Sequence, residues 1–171
     1  IGATGLTGTL LANKLVLIQK NNSVTAFVRR RPDVTDKKIS FKIINFDNIE
    51  NLRFKADVAF SCLGTTIKNA GSRDNFRKVD FTYNLEFAKV CKANGVKKFI
   101  LLSALGANPE SYVFYNRINN NMLANFFNFF GRSGVDFVYN DYIGASYVSF
   151  TGMIHNFVAR AKRIDNYNFT V

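Results

Sequence analysis

The sequence predicts an α/β fold: one doubly wound domain with a mainly parallel sheet and helices on both faces. Three observations predict it. The chain opens on a glycine-rich turn, Ile1-Gly2-Ala3-Thr4-Gly5-Leu6-Thr7-Gly8, that runs straight into an apolar helix-forming stretch from Leu10 to Ile18. Short apolar runs at 24–28, 56–63 and 97–103 recur between stretches with helical spacing, and strands apolar throughout are those of a sheet covered on both faces. Two of these runs end on small or hydroxyl residues, Gly64-Thr65-Thr66 and Ser103-Ala104-Leu105-Gly106, at the strand ends where open α/β sheets present ligands.

Composition sets the outer bounds. A chain of 171 residues, 47% hydrophobic and 20% charged, is one folded domain with a real core. No apolar run is long enough to span a bilayer. Cys62 and Cys91 are too few for a disulfide framework and wrongly spaced for zinc, so they are expected as free thiols in a reducing compartment, and the cytoplasm is the expected location. No metal site is expected. The formal charge of +11 raises nucleic acid as a partner, but the Lys and Arg are spread along the chain and charge is its sole support, so nucleic acid is disfavoured. Heavy use of Phe, Asn, Ile and Lys with two Pro and no Trp reads as nucleotide bias, which accounts for part of the basic charge.

Taken in order, the glycines at 2, 5 and 8 let the backbone turn tightly and approach a ligand. The helix opening there directs its unpaired N–H groups and positive dipole end at the turn, a natural seat for phosphate. The spacing G-x-x-G-x-x-G is one residue looser than the common dinucleotide fingerprint. A buried strand should precede such a turn and none does, so the chain is expected to be cropped ahead of Ile1, with any targeting signal out of view. The helix is predicted to reach about Lys20, with a turn at Asn21-Asn22-Ser23. Val24 to Val28 is a buried strand, completing a parallel βαβ unit. Arg29-Arg30-Arg31 ends it, about 20 residues past the glycines. An acidic residue there would take a ribose 2′-hydroxyl, whereas arginine accommodates a 2′-phosphate. No acid competes before Asp33, so NADP(H) is favoured over NAD(H).

Phe41 to Asp47 alternates as an edge strand, ending on Asp47, which could accept from an adenine amino group. Asn48 to Lys55 is predicted as a short polar helix, and Ala56 to Leu63 as a strand. Ser72 is predicted to cap one long helix that carries Phe76, Val79, Tyr83, Phe87, Val90 and Cys91 and closes at Asn94-Gly95. Lys97 to Ser103 is the central strand. A helix from about Val113 carries Tyr115, Asn119, Leu123 and Phe127; 131–134 turns; 135–139 is a strand; 151–162 is a helix; 167–171 is a last short strand. Residues from about 135 onward complete the sheet and form a small substrate-side region. His155, the single histidine, is expected on the surface or in packing. The whole reads as a single Rossmann-type domain over residues 1–171.

Six motifs stand in this frame: Gly2-Ala3-Thr4-Gly5-Leu6-Thr7-Gly8, Val28-Arg29-Arg30, Ser61-Cys62-Leu63-Gly64-Thr65-Thr66, Arg77-Lys78-Val79-Asp80, Leu102-Ser103-Ala104-Leu105-Gly106-Ala107 and Phe114-Tyr115-Asn116-Arg117. In that order the chain resembles an atypical short-chain dehydrogenase/reductase of the Tat-interacting-protein-like NADP-binding group, with NmrA-like NAD(P)-binding proteins as wider relatives. The resemblance implies NADP(H) across the carboxyl edge of the sheet. It assigns Gly2, Thr4, Gly5, Leu6 and Thr7 to the pyrophosphate and Arg29 and Arg30 to the 2′-phosphate. Asp47 and the Leu63-Gly64-Thr65 turn, with Cys62 beside it, would hold the adenosine half, and Ser103 and Tyr115 would flank the nicotinamide.

In that superfamily a Tyr gives the proton for carbonyl reduction, a Ser orients the carbonyl, and a Lys four residues after the Tyr lowers the phenol pKa from its usual value of about 10. Position 119 here is Asn, and no Tyr in the chain has a Lys four residues on. The region after the strand at 135–139 departs too, reading Asn140-Asp141-Tyr142-Ile143-Gly144 where the family tends to place Arg-Pro. Two functions therefore stay open. One is an NADP(H)-dependent carbonyl oxidoreductase with a Ser103/Tyr115 acid–base site weakened by Asn119, acting on an unidentified small carbonyl or alcohol. The other is a catalytically impaired NADP(H)-binding module that regulates a protein partner.

Overall fold

The computed structural model of the chain describes residues 1–18, 23–33, 38–104, 110, 112, 114, 117–118, 121–122, 125–126 and 135–140. Among the described residues five strands are formed: β1 (Val24–Val28), β2 (Ile39–Ile43), β3 (Val58–Ser61), β4 (Lys98–Ala104) and β5 (Val135–Asn140). All pair in parallel, β1 with β2 and β3-β4-β5 in a three-stranded sheet. Ile1 runs alongside β3: its nitrogen donates to the Phe60 carbonyl (2.8 Å) and its carbonyl accepts from Cys62 N–H (3.0 Å).

The strands sort their side chains with period two, as the pleat requires. Val24, Ala26, Val28, Val58, Phe60 and Ile100 face one way and pack with Leu11, Ala12, Leu15 and Val16 of α1 (Leu6–Ile18). Phe27, Ala59, Phe99 and Leu101 face the other way and pack with Phe87, Ala88, Val90 and Cys91, and with Met122 and Phe126. That second layer is a run of aromatic rings, Phe54–Phe27–Phe87–Phe99–Phe126, with successive centroids 5.1–6.0 Å apart, inside the range where offset rings attract. Helices thus cover both faces, the doubly wound arrangement that the sequence predicts.

Several elements differ from expectation. β2 starts and ends earlier than 41–47, so Asp47 lies in the turn after the strand. The predicted helix at 48–55 is a chain of turns. Asp47 N–H donates to Asn45 Oδ1 (3.0 Å), and Asn94 accepts from Phe54 N–H (3.0 Å) while donating to the Leu52 carbonyl (3.0 Å). Side chains supply the bonds that a helix would have made for itself. β3 is shorter than 56–63. The long helix is real but composite: α2 (Ile67–Ala70) precedes it, then α3 (Arg73–Arg77) leads through a π turn at Lys78–Thr82 into α4 (Tyr83–Ala93). Ser72 caps α3 as predicted, its Oγ accepting from Asn75 N–H (3.1 Å).

Phe114, Arg117, Ile118, Asn121, Met122, Asn125 and Phe126 are helical, and Ile118, Met122 and Phe126 are buried at four-residue spacing. The predicted end of α1 at Lys20, Leu123 and Phe127, the turn at 131–134, His155, the helix at 151–162 and the strand at 167–171 lie outside the described residues.

Candidate functional site

The site is built where Ile1 leaves β3 and α1 begins. Gly2 takes φ +81°, a conformation that L side chains rarely adopt. A Cβ there would stand 2.4 Å from the Cys62 carbonyl carbon. Gly5 N–H donates to the Gly2 carbonyl (3.1 Å), Thr9 N–H to the Gly5 carbonyl (2.9 Å) and Thr9 Oγ1 to the Ala3 carbonyl (2.9 Å). At Gly8 a Cβ would lie 2.1 Å from the Gly2 carbonyl oxygen, so α1 rests directly on the turn. At Gly5 it would meet only the Gly2 oxygen, at 3.5 Å. Two of the three glycines are therefore demanded by the fold; the third keeps the mouth of the turn open. The first-turn N–H groups of a helix lack intrahelical acceptors, and here they sit beside that opening.

A cavity of about 340 Å³ lies across the carboxyl ends of β1 and β3. Gly2, Thr4, Gly5, Arg29, Arg30, Cys62, Leu63 and Gly64 line it, together with Phe27, Val28, Arg31, Pro32 and Phe46. Three guanidinium groups and no carboxylate stand among these residues. Leu6 and Thr7 follow Gly5 in the first turn of α1. Burial pushes the Cys62 thiol up to about 12, so it is a neutral wall residue, and Cys91 is buried and also free.

The Leu63-Gly64 wall, and Thr65 just beyond it, are held by two polar residues to which the sequence assigns no role. Asn84, fully buried, accepts from Ser61 Oγ and donates to the carbonyls of Leu63 (3.2 Å), Val79 (3.2 Å) and Asp80 (3.0 Å). Asp80, 7% exposed, accepts from Thr65 N–H (2.9 Å). The signal was present: Asp80 and Asn84 fall on the same helical stripe as Phe76, Phe87 and Cys91, and polar residues at core positions mark sites that a fold keeps for function.

Burial pushes the Asp80 carboxyl up to about 7 against the lowering effect of the Thr65 bond. The folded protein therefore keeps a proton on Asp80 between about pH 4 and 7, where the unfolded chain has released it. The stability this contributes is full below about pH 4 and is lost as pH rises toward 7. Asp80→Asn keeps an acceptor for Thr65 without a charge to desolvate. Thermal melts between pH 5 and 8 should show wild type weakening relative to Asp80→Asn as pH rises; parallel curves would show that Asp80 is already charged when folded.

Asp47 follows cavity-lining Phe46. Lys78 lies 2.6 Å from its Oδ1 and Tyr83 OH donates to the same atom (2.8 Å). These two bonds, Lys78 first, hold the Asp47 carboxyl below the usual carboxylate range, while Tyr83 is raised by burial and then by Asp47. A phenol shifted this way keeps its proton at neutral pH and is a weaker acid than a free one. Ser103 lies in β4, in register with Tyr139; Tyr115 and Asn119 lie outside the described residues. Among the described residues no group of three or more His, Cys, Asp or Glu is placed to hold a metal ion, and no helix is long and apolar enough to cross a membrane.

Residues 2–133 match a family model described as NAD(P)H-binding. The mitochondrial protein FMP52 of Candida albicans is 34% identical over 122 residues, 67% of this chain and 53% of that protein. Protein HTATIP2 of Rattus norvegicus is 33% identical over 124 residues, covering 69% and 51%. The chain thus spans about half the length of these curated relatives. The crystal structure of the oxidoreductase ylbE from Lactococcus lactis superposes with a TM-score of 0.68 at 16% identity, covering 99% of this chain and 86% of that one, a likeness of fold. The FMP52 relatives overturn the cytoplasmic location expected from the sequence, since their names place them in mitochondria. Free thiols report a reducing environment and carry no address.

Proposed function

The chain belongs to the NAD(P)H-binding family, and from that premise we propose that it binds NADP(H) in the cavity above β1 and β3 and acts as a carbonyl oxidoreductase of the short-chain dehydrogenase/reductase type. One observation carries the reading: an open glycine turn at the start of a 13-residue helix shares a cavity with Arg29, Arg30 and Arg31 and, among the described residues, with no acid. In this reading Gly2, Thr4, Gly5, Leu6 and Thr7 cradle the pyrophosphate: Thr4, Leu6 and Thr7 offer N–H groups and hydroxyls, and Gly2 and Gly5, whose own N–H is taken by the Gly2 carbonyl, leave room for it. Arg29 and Arg30 receive the 2′-phosphate. Cys62, Leu63, Gly64, Thr65 and Asp47 border the adenosine. Residues 1–171 act as one nucleotide-binding unit, with the part from about 135 onward on the substrate side. The FMP52 names support a mitochondrial location.

The bound dinucleotide, when reduced, supplies a hydride to a substrate carbonyl carbon. Tyr115 then supplies the proton to the carbonyl oxygen, and Ser103, at the carboxyl end of the central strand, orients that oxygen. Titration of protein fluorescence with NADPH and NADH tests the cofactor half: NADPH should bind at least about tenfold tighter, as one added charge-assisted bond allows. Equal affinities would remove the 2′-phosphate from the reading.

Asn119 favours the second reading, a regulatory module that binds NADP(H) with little turnover and acts through a protein partner. Asn can hydrogen-bond a ribose but brings no charge to lower the Tyr115 pKa. Asn119→Lys should raise carbonyl reduction about tenfold or more, within the usual contribution of a tuned acid. A folded variant that binds NADPH but gains no activity would favour the regulatory module.

A further inference from the structure

Asp80 stands behind the wall of the cavity rather than in it. The residue is 7% exposed, and its Oδ2 accepts from Thr65 N–H (2.9 Å). Its Oδ1 lies against cavity-lining Gly64, where a Cβ would stand 3.3 Å away. Among the described residues no donor reaches Oδ1 and no cation pairs with the carboxyl.

The groups around it leave a charge there unbalanced. On the β3 side stand Ser61, Cys62, Leu63, Gly64 and Thr65; Cys62 alone titrates, and burial keeps its thiol neutral. From its own helix comes Asn84, whose amide N–H groups go to the carbonyls of Leu63, Val79 and Asp80. Lys78 is engaged with Asp47, and Arg77 lies over the Phe81 ring (5.0 Å). Arg29, Arg30 and Arg31 line the cavity from the end of β1. A buried carboxyl with one N–H partner and no cation favours its neutral form, and burial accordingly pushes Asp80 up to about 7.

Resting on the cofactor reading above, we infer that Asp80 is a positioning residue that couples this site to a proton: acting through Gly64 and Thr65, it admits the dinucleotide in its neutral form, and dinucleotide binding draws a proton onto it. Neutral Asp80 leaves the wall uncharged behind the phosphates of the ligand. Ionised Asp80 would set a buried negative charge directly behind that wall. One unit charge about 10 Å away changes a proton affinity about tenfold at an effective dielectric of about 20, and the coupling is reciprocal. NADPH affinity should therefore be full while Asp80 holds its proton and fall as pH rises through about 7.

The test is calorimetric titration of the intact protein with NADPH between about pH 7.0 and 8.5, a window in which a phosphate with a second pKa of about 6 is already ionised. Wild-type affinity should fall about fourfold across it, the result of a tenfold coupling at a group that titrates near 7. At about pH 7.5, heats in two buffers of different ionisation enthalpy should show about half a proton taken up per NADPH bound. Asp80→Asn cannot titrate; with circular dichroism unchanged, its affinity should stay level across the window and its proton uptake should vanish. A residue that only held the wall in shape would change affinity by the same factor at every pH and take up no proton. A level wild-type profile without proton uptake, or a slope that Asp80→Asn keeps, overturns this inference while leaving the cofactor reading standing. Where Asp80→Asn fails to fold, the wild-type proton uptake decides alone. Absence of NADPH binding at every pH overturns both.

Discussion

Gly2→Ala should cost the protein about 3 kcal/mol and abolish NADPH binding. Two penalties combine. The φ of +81° costs any L side chain about 1–2 kcal/mol. The new Cβ would also lie 2.4 Å from the Cys62 carbonyl carbon and 2.5 Å from Leu63 N. These are backbone atoms continuing from β3, and they cannot move aside as the tip of a flexible side chain can. Overpacking of this kind adds about 1–3 kcal/mol. The smaller unfolded-state entropy of Ala returns less than about 1 kcal/mol. A melt by circular dichroism should fall by roughly 6–12 °C, given about 2–4 °C per kcal/mol for a chain of this size.

Gly5→Ala separates fold from ligand. Its Cβ would meet only the Gly2 oxygen, at an ordinary 3.5 Å, yet Gly5 lines the cavity. This variant should melt within about 2 °C of wild type, the effect of a neutral surface change. It should nevertheless bind NADPH at least about tenfold more weakly, because the methyl group occupies the approach to the first-turn N–H groups. A Gly5→Ala protein that binds like wild type would mean that phosphate does not enter this turn.

The contrast among these glycines shows what the sequence could and could not reveal. The turn and the helix and parallel strand that follow it were legible because they depend on local backbone freedom and on short-range periodicity. β1 and β4 fall where alternating packing on two covered faces requires continuous apolar residues. The segment at 48–55 departs from the predicted helix because the Leu52 carbonyl and the Phe54 N–H bond to Asn94, a partner that no window of local sequence contains. Tyr83 read as one more apolar residue on a helix; its link to Lys78 depends on a π turn, and its link to Asp47 crosses 36 positions. Asp80 and Asn84 were visible as polar residues on a core stripe, but their partners, the backbone of Leu63 and Thr65, became apparent only with the fold. The cavity's arginines were the reverse case: their position 20 residues past the glycines was enough to place them.

Those arginines carry the second large effect. Arg29→Glu with Arg30→Glu should weaken NADPH binding by about a hundredfold or more while weakening NADH far less. Each guanidinium bond to a phosphate contributes about 1.5–3 kcal/mol, so losing two accounts for a hundredfold before any repulsion. The new carboxylates would add like-charge repulsion to a 2′-phosphate in contact with them, but the pyrophosphate, beside Gly5, would feel a screened charge if it lies beyond a Debye length of about 8 Å. Both arginines are exposed, so the substitutions should leave the melting temperature close to wild type. Arg31 lines the same cavity and remains to give NADPH a residual advantage, which raised salt should erase. The decisive quantity is the ratio of the two affinities, since a general loss of charge or of fold would lower both alike. If NADPH and NADH weaken by the same factor, the arginines act on the dinucleotide as a diffuse positive field, and the choice between the cofactors must come from elsewhere in the chain.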